Sequence, residues 1–377
     1  MGTMRKVNLL RCIAILGFLT YLVSATAHAQ SDWKKQWEAT VDVAKKESEV
    51  TIYGPHNPVY QQVWTIFQKS YPEIKFNFVP GKGSDHAQRI VAERRAGKFL
   101  ADLLMGGSST FAAFVPGTLE PLKPLLILPE VTDLAAWFGG KFYFADPQDN
   151  AALIISGEIG TRRGSYNTKL VDPKEIQSWW DLLQPKWKGK LGSFDPRVAG
   201  GGGETFMFFY YTPSLGHKFI TRILTETDVV LTRDLQQGTD WLGQGKIFFY
   251  IGSGQPVIKA KKQGLPVDLM PHSLKEGDIM GGGSCCMAVV NKAPHANATK
   301  LFVNWILSKE GQSAWQKYTE VNSLRVDIPK NDLPADDIPQ KGVNYFMLNS
   351  SKYNDQAGRK ALHQIVEEAL RKVGKGT

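Results

Sequence analysis

The chain has 377 residues, with 45 Lys and Arg against 36 Asp and Glu, for a formal net charge of +9. That excess is modest and spread without a dense basic block, so nucleic-acid binding has no support and small anionic ligands suit the balance better. Of three cysteines two are adjacent, Cys285 and Cys286, which excludes a disulfide framework and leaves the core to apolar burial.

Residues 1–29 carry Arg5, Lys6 and Arg11, an apolar run over 12–23, and then Ala27-His28-Ala29 before Gln30, the layout of a cleaved secretory signal. The apolar run is shorter than the roughly 20 residues that a spanning helix needs. The expected product is an exported periplasmic protein, and removing those three basic residues takes the charge from +9 to +6. The remaining length of about 350 residues exceeds one comfortable core and predicts two lobes.

From Trp33 onward helices and strands alternate. Trp33, Trp37, Val41 and Ala44 share a helical face, and residues 50–53 form a β-branched strand ending at Gly54-Pro55-His56. Asn57 and Pro58 open a helix with Tyr60, Val63, Trp64 and Phe67 on its inner face. Ile74, Phe76 and Phe78 alternate as a second strand, which leads to Gly81-Lys82-Gly83-Ser84, with Ser84 expected to cap a helix over 85–96. Residues 101–105 read as a third strand, followed by Gly106-Gly107-Ser108-Ser109. Such repetition is a parallel α/β sheet, whose ligands bind beyond the carboxyl ends of the strands. Tyr53, His56, Gly81, Lys82, Ser84, Gly107, Ser108 and Ser109 are therefore candidate contacts.

Residues 142–144 and 151–156 are expected strands that cross to a second lobe, with Arg162 and Arg163 near the crossing and Arg162 a further candidate contact. Gly200 to Gly203, Glu204 and Thr205 then run straight into the aromatic stretch 206–211, so a glycine loop opens a buried helix. Glycines leave the backbone bare, and a helix's first turn offers unpaired N–H groups and a positive dipole end to a carboxylate or phosphate. Gly201, Gly202, Gly203 and Glu204 join the candidates, as does Ser253 in the loop Gly252-Ser253-Gly254-Gln255 after a strand over 247–251. No Lys-Ser or Lys-Thr follows the glycines, and no dinucleotide fingerprint can be placed. Leu301, Phe302, Trp305 and Ile306 mark a core helix, and the tail ends in a helix over 356–373. With no G-x-S-x-G elbow, no metal spacing among seven histidines, and a cysteine pair read as structural, neither an enzyme nor a resident cofactor or metal is expected.

Two blocks carry a resemblance. The first is Trp180-Asp181-Leu182-Leu183, Pro185-Lys186-Trp187-Lys188-Gly189-Lys190 and Asp195-Pro196; the second is Gly281-Gly282-Gly283-Ser284, Met287-Ala288-Val289-Val290, residues 292–312 and an Arg-containing strand at Arg325. Together they resemble the extracellular solute-binding proteins of bacterial ABC importers, in the branch with ferric-ion and phosphonate or sugar-phosphate binders. The resemblance runs from Val50 to Asp327. It implies an α/β, two-lobed type II periplasmic binding protein fold with a hinge and an interlobe ligand cleft. Lobe 1 is expected over 30–148 and 278–328, and lobe 2 over 149–277 and 329–377. It further implies a monomer that hands its solute to an inner-membrane permease. Ferric members use a His after the first strand, a Glu in the third-strand loop and a tyrosine pair after the strand here ending at Tyr250. His56 matches the first, but Gly106-Gly107-Ser108 and Ile251-Gly252-Ser253-Gly254 stand at the others. Hard ferric iron needs those oxygens. The expected ligand is an anionic organic molecule, with ferric iron or a ferric chelate as the alternative and an exported hydrolase behind both.

Overall fold

A computed structural model describes residues 32–111, 117–159, 164–198, 201–272, 274–281, 285–353 and 355–375. Among them are two five-stranded sheets and one three-stranded sheet. The first sheet orders its strands Lys75–Pro80, Glu49–Gly54, Leu103–Gly106, Cys286–Val289 and Leu153–Ile154. Its first three are parallel, with Ile52 level with Phe78 and Leu103. Cys286–Val289 runs antiparallel between its two neighbours. The run of Val50, Ile52 and Tyr53 is buried on both faces, as a central parallel strand requires.

The helix Val59–Ser70 buries Tyr60, Val63, Trp64 and Phe67, the i, i+3, i+4, i+7 stripe of an amphipathic helix. They meet rings from the far end of the chain. Tyr60 stacks on Trp315 at 5.1 Å, and Phe67 meets Phe302 edge-on at 5.3 Å. Helix Ala296–Leu307 therefore sits in the core of the first lobe, with Leu301, Phe302 and Ile306 fully buried.

In the second sheet the order is Val267–Leu269, Ser165–Asn167, Phe249–Ile251, Leu191–Phe194 and Val230–Thr232. Leu191–Phe194 is parallel to both neighbours, so Phe194 and Ile251 end on one edge. The aromatic helix Gly201–Tyr211 packs Phe206 and Phe209 into this lobe's core beside Trp179 and Phe219. The last helix, Gln356–Lys372, adds Leu362, Val366 and Leu370 to the same core. Its cap, Asp355, accepts a hydrogen bond from the Tyr211 hydroxyl.

A third sheet links the lobes. Tyr345–Met347 pairs in parallel with Asp278–Gly281, which pairs antiparallel with Glu158–Ile159. The tail thus takes part in the link and also reaches the first lobe: Ser351 donates from its N–H to the Phe144 carbonyl and from its hydroxyl to Asp149, both at 2.7 Å.

One buried and one half-buried cation lie where the first lobe closes. Arg325 is 0% exposed; its Nε and Nη2 reach Asp327 at 2.9 Å and its Nη1 reaches the Leu307 carbonyl at 2.9 Å. Lys330 donates to Gln316 and to the Ser323 carbonyl at 2.8 Å, and burial lowers its pKa to about 8 from 10.5. The unfolded chain therefore binds more protons between those two values, and Lys330's contribution to stability rises with pH across that window. We expect the Tm of the wild type minus that of Lys330→Met to climb from about pH 8 upward. A flat difference would show an ordinary, solvated amine.

Candidate functional site

Because the first three strands are parallel, the loops that leave them share one edge of the first sheet. Packing ties them together. A Cβ on Gly83 would overlap the Thr110 hydroxyl, and one on Gly106 would stand 2.7 Å from the same atom, so the second and third loops close on one side chain. His86, from helix Gly83–Arg95, does the same for the first and second. Its Nε2 lies 3.2 Å from the Gly54 carbonyl oxygen, its ring 5.2 Å from that of Tyr53, and a Cβ on Gly81 would come within 2.8 Å of it. Sequence reasoning passed over His86, which sits mid-helix with no motif around it.

Tyr53 is 1% exposed beneath this helix. Its hydroxyl donates to Glu93 at 2.8 Å and the Arg89 guanidinium lies 4.8 Å over its ring. Burial first, then the bond to Glu93, push its pKa up to about 12. His56, Lys82 and Ser84 are exposed, and Ser84 donates to Asp85 at 3.1 Å. The helix starts at Gly83 with Lys82 as its N-cap, two residues before the expected start. The Lys82 carbonyl already accepts from the N–H groups of Asp85 and His86, which draws Ser84 inside the first turn. Gly107 and Ser108 are half-buried, and Ser109 belongs to the short turn Ser108–Phe111. Arg162 and Arg163 lie outside the described residues, as does Gly200.

On the second lobe the glycine-headed helix meets two strand ends, backbone against backbone. Gly252 adopts φ +75°, and a Cβ there would stand 2.6 Å from the Gly202 nitrogen. Conversely, a Cβ on Gly201 would stand 2.5 Å from the Gly252 carbonyl oxygen, and one on Gly202 would overlap that of Phe194. Gly203 has more room, 3.2 Å to the Val198 oxygen, and Glu204 is half-buried in the first turn. The preceding loop is pinned by Asp195, 2% exposed, which accepts from the N–H, Nε and Nη2 of Arg197 and from Nε of Arg233. Burial opposes its charge, yet Arg197 still holds the carboxyl below its usual range. Arg197 also reaches Glu367 of the last helix at 3.5 Å. Next to Gly252, Ser253 is 0% exposed, and its hydroxyl has no hydrogen-bond partner among the described residues.

Cys285 and Cys286 are bonded to each other and 1% exposed, with Cys286 level with Gly106 and Ile154. The bridge joins sequence neighbours and closes no loop, so it ties no separate segments together.

Between the lobes opens a cavity of about 490 Å³, within the size range of small-molecule sites. One wall is the helix Gln255–Lys262, which begins two residues after Ser253; the opposite wall is residues 319–321 of the first lobe. Glu158 of the linking sheet and Asp336 and Asp337 of the tail complete it. Lys261 bonds Asp268 at 2.6 Å and Asp336 at 3.1 Å, and with Glu158, Glu320, Asp336 and Asp337 against Lys261 and Lys262 the wall is acidic on balance. Among the described residues no three His, Cys, Asp or Glu side chains gather where a metal ion could be held. No described helix is long and apolar enough to cross a membrane.

The family model for bacterial extracellular solute-binding proteins matches residues 62–338. The chain belongs to that family. A relative in Haemophilus influenzae, described as an uncharacterized protein, is 27% identical over 343 residues, which are 85% of this chain and 90% of that one. Among solved structures, the periplasmic binding protein AfuA from Actinobacillus pleuropneumoniae, with fructose-6-phosphate bound, aligns at TM-score 0.53 and 20% identity over 86% of this chain and 98% of its own. The Trichodesmium protein IdiA (FutA), in complex with iron and citrate, aligns at TM-score 0.64 and 16% identity over 86% and 99%. At these identities the likeness establishes the fold, the two-lobed α/β architecture of periplasmic binding proteins. Family and fold are those of binding proteins rather than enzymes.

Proposed function

We propose that this solute-binding protein captures a small anionic organic solute, a carboxylate, phosphonate or phosphate ester, between its lobes and delivers it to the permease of an ABC importer in the inner membrane. The observation that carries the reading is the buried, unpartnered Ser253 hydroxyl beside the glycine-headed helix. A buried donor without a partner costs about 1–3 kcal/mol, and a ligand oxygen at that spot relieves it. The helix's dipole favours the same occupant if it is an anion. Ser108 supplies a hydroxyl from the other lobe, and the acidic cavity walls, four carboxylates against two lysines, suit a body with hydroxyl donors behind the anionic head. A ligand that touches both lobes binds the closed arrangement better, which drives hinge closure and builds the surface that the permease reads.

The test is a thermal-shift panel of fructose 6-phosphate, fructose, inorganic phosphate, citrate, ferric citrate, ferric chloride and spermidine. Both the sugar phosphate and the iron with citrate are ligands of proteins with this fold. An anion at a hundred times its dissociation constant should add about 2.7 kcal/mol of stability. A best ligand that is a cation or a neutral sugar defeats the anion reading, and ligand consumed on incubation with the protein would point to a hydrolase.

A further inference from the structure

We propose that Asn349, from the carboxy-terminal tail, is a positioning residue of the cleft that sets Ser108 as a hydrogen-bond donor toward the ligand; this rests on the anion-binding reading above. Sequence analysis assigned the tail no part in the site. The structure brings it there: after Tyr345–Met347 joins the linking sheet, Leu348 donates to the Met280 carbonyl at 2.9 Å and the chain continues to the loop after strand Leu103–Gly106. Asn349 is 7% exposed, and its Nδ2 donates to the Ser108 hydroxyl oxygen at 2.9 Å. Its position is tight on the other side as well, since a Cβ on Gly281 would stand 2.9 Å from Asn349 Oδ1. Ser351 then fastens the segment to Asp149 and Phe144 of the first lobe, and helix Gln356–Lys372 fastens it to the second.

The chemistry follows from counting hydrogens. A serine hydroxyl has one proton to give and lone pairs to receive. Once Ser108 receives from the amide, its own proton is released for another acceptor, and rotation about Cβ–Oγ is restricted. An occupant with acceptor oxygens is matched by that arrangement, while one offering donors there finds only the remaining lone pair. Because Asn349 acts through Ser108, truncating both residues removes one interaction rather than two.

Isothermal titration with fructose 6-phosphate, citrate and inorganic phosphate is run on the wild type, Ser108→Ala, Asn349→Ala and the double variant, with unliganded melts alongside. Each single variant is expected to weaken the tightest of these anions about tenfold, and the double variant no further, a non-additivity expected only of coupled residues. Asn349→Asp keeps the shape but accepts from Ser108 and adds like charge, so it should lose about a hundredfold. If Asn349→Ala unfolds, the aspartate variant decides alone. Additive losses in the double variant, or unchanged affinity in Asn349→Asp, overturn the assignment while the wild type still binds. If the wild type binds none of the three anions, the anion reading itself falls and takes this one with it.

Discussion

Arg325→Ala should lower the stability of the folded protein by about 3 kcal/mol or more, from a buried acceptor left without its donor and the void where a large side chain stood. The guanidinium is 0% exposed and bridges three parts of the first lobe: Asp327, the Leu307 carbonyl at the end of a core helix, and the ring of Trp137, 5.5 Å away. Its removal leaves the buried Leu307 carbonyl without that donor and opens a void, while Asp327, at the surface, keeps Lys309 at 3.1 Å. Urea unfolding gives the measurement: a fall in midpoint with an unchanged slope is expected. The Arg325 hydrogen bonds also hold the Asp327 pKa to about 2, so the pair's stabilisation is complete above pH 3.8 and is lost as pH falls toward 2. That acid sensitivity should shrink in the variant, where Lys309 alone remains beside the carboxylate. A loss under 1 kcal/mol would mean that the lobe closes without Arg325.

Gly202→Ala should be nearly as damaging, by about 3 kcal/mol or more, because the added methyl meets backbone and not a side chain able to swing away. Strand Leu191–Phe194 and helix Gly201–Tyr211 would have to separate. A variant this strained reports on folding and says little about ligands. Gly203→Ala is the informative neighbour, since its Cβ meets the Val198 oxygen at 3.2 Å and the Pro196 oxygen at 3.4 Å. We expect it to melt within a few degrees of the wild type while binding the anion more weakly. Equal melting of Gly202→Ala and the wild type would refute the packing account.

Periodic features of the fold were readable from the chain alone. The stripe Tyr60, Val63, Trp64, Phe67 and the helix now seen as Gln356–Lys372 follow from spacing, because each buries one face against a continuous core. The strand Tyr345–Met347 was invisible for the opposite reason. Three residues hold no period, and their place is set by Asp278–Gly281, far back in the sequence. Asn349 shares that fate, as its meaning depends on Ser108. Tyr53 followed the rule for residues at strand ends, yet Glu93 and Arg89 on helix Gly83–Arg95 take its hydroxyl and ring. The glycines of the second lobe were found by composition, but half of their reason, contact with Phe194 and Gly252, needed the fold.

Cys286–Val289 lies inside the first sheet, between Leu103–Gly106 and Leu153–Ile154, and this fixes when the sheet can be finished. During synthesis the parallel strands emerge early, but the gap beside Leu103–Gly106 stays open until residue 289 of 377 has been made. At 5–20 residues per second that is roughly 15–60 s of translation. Throughout this interval the first lobe has no complete sheet, and the long-range pairing that completes it is slow in its own right. A nascent chain of this layout keeps its first lobe incomplete for most of its synthesis, while the strands of the second sheet, all within residues 165–269, are made before that lobe can close.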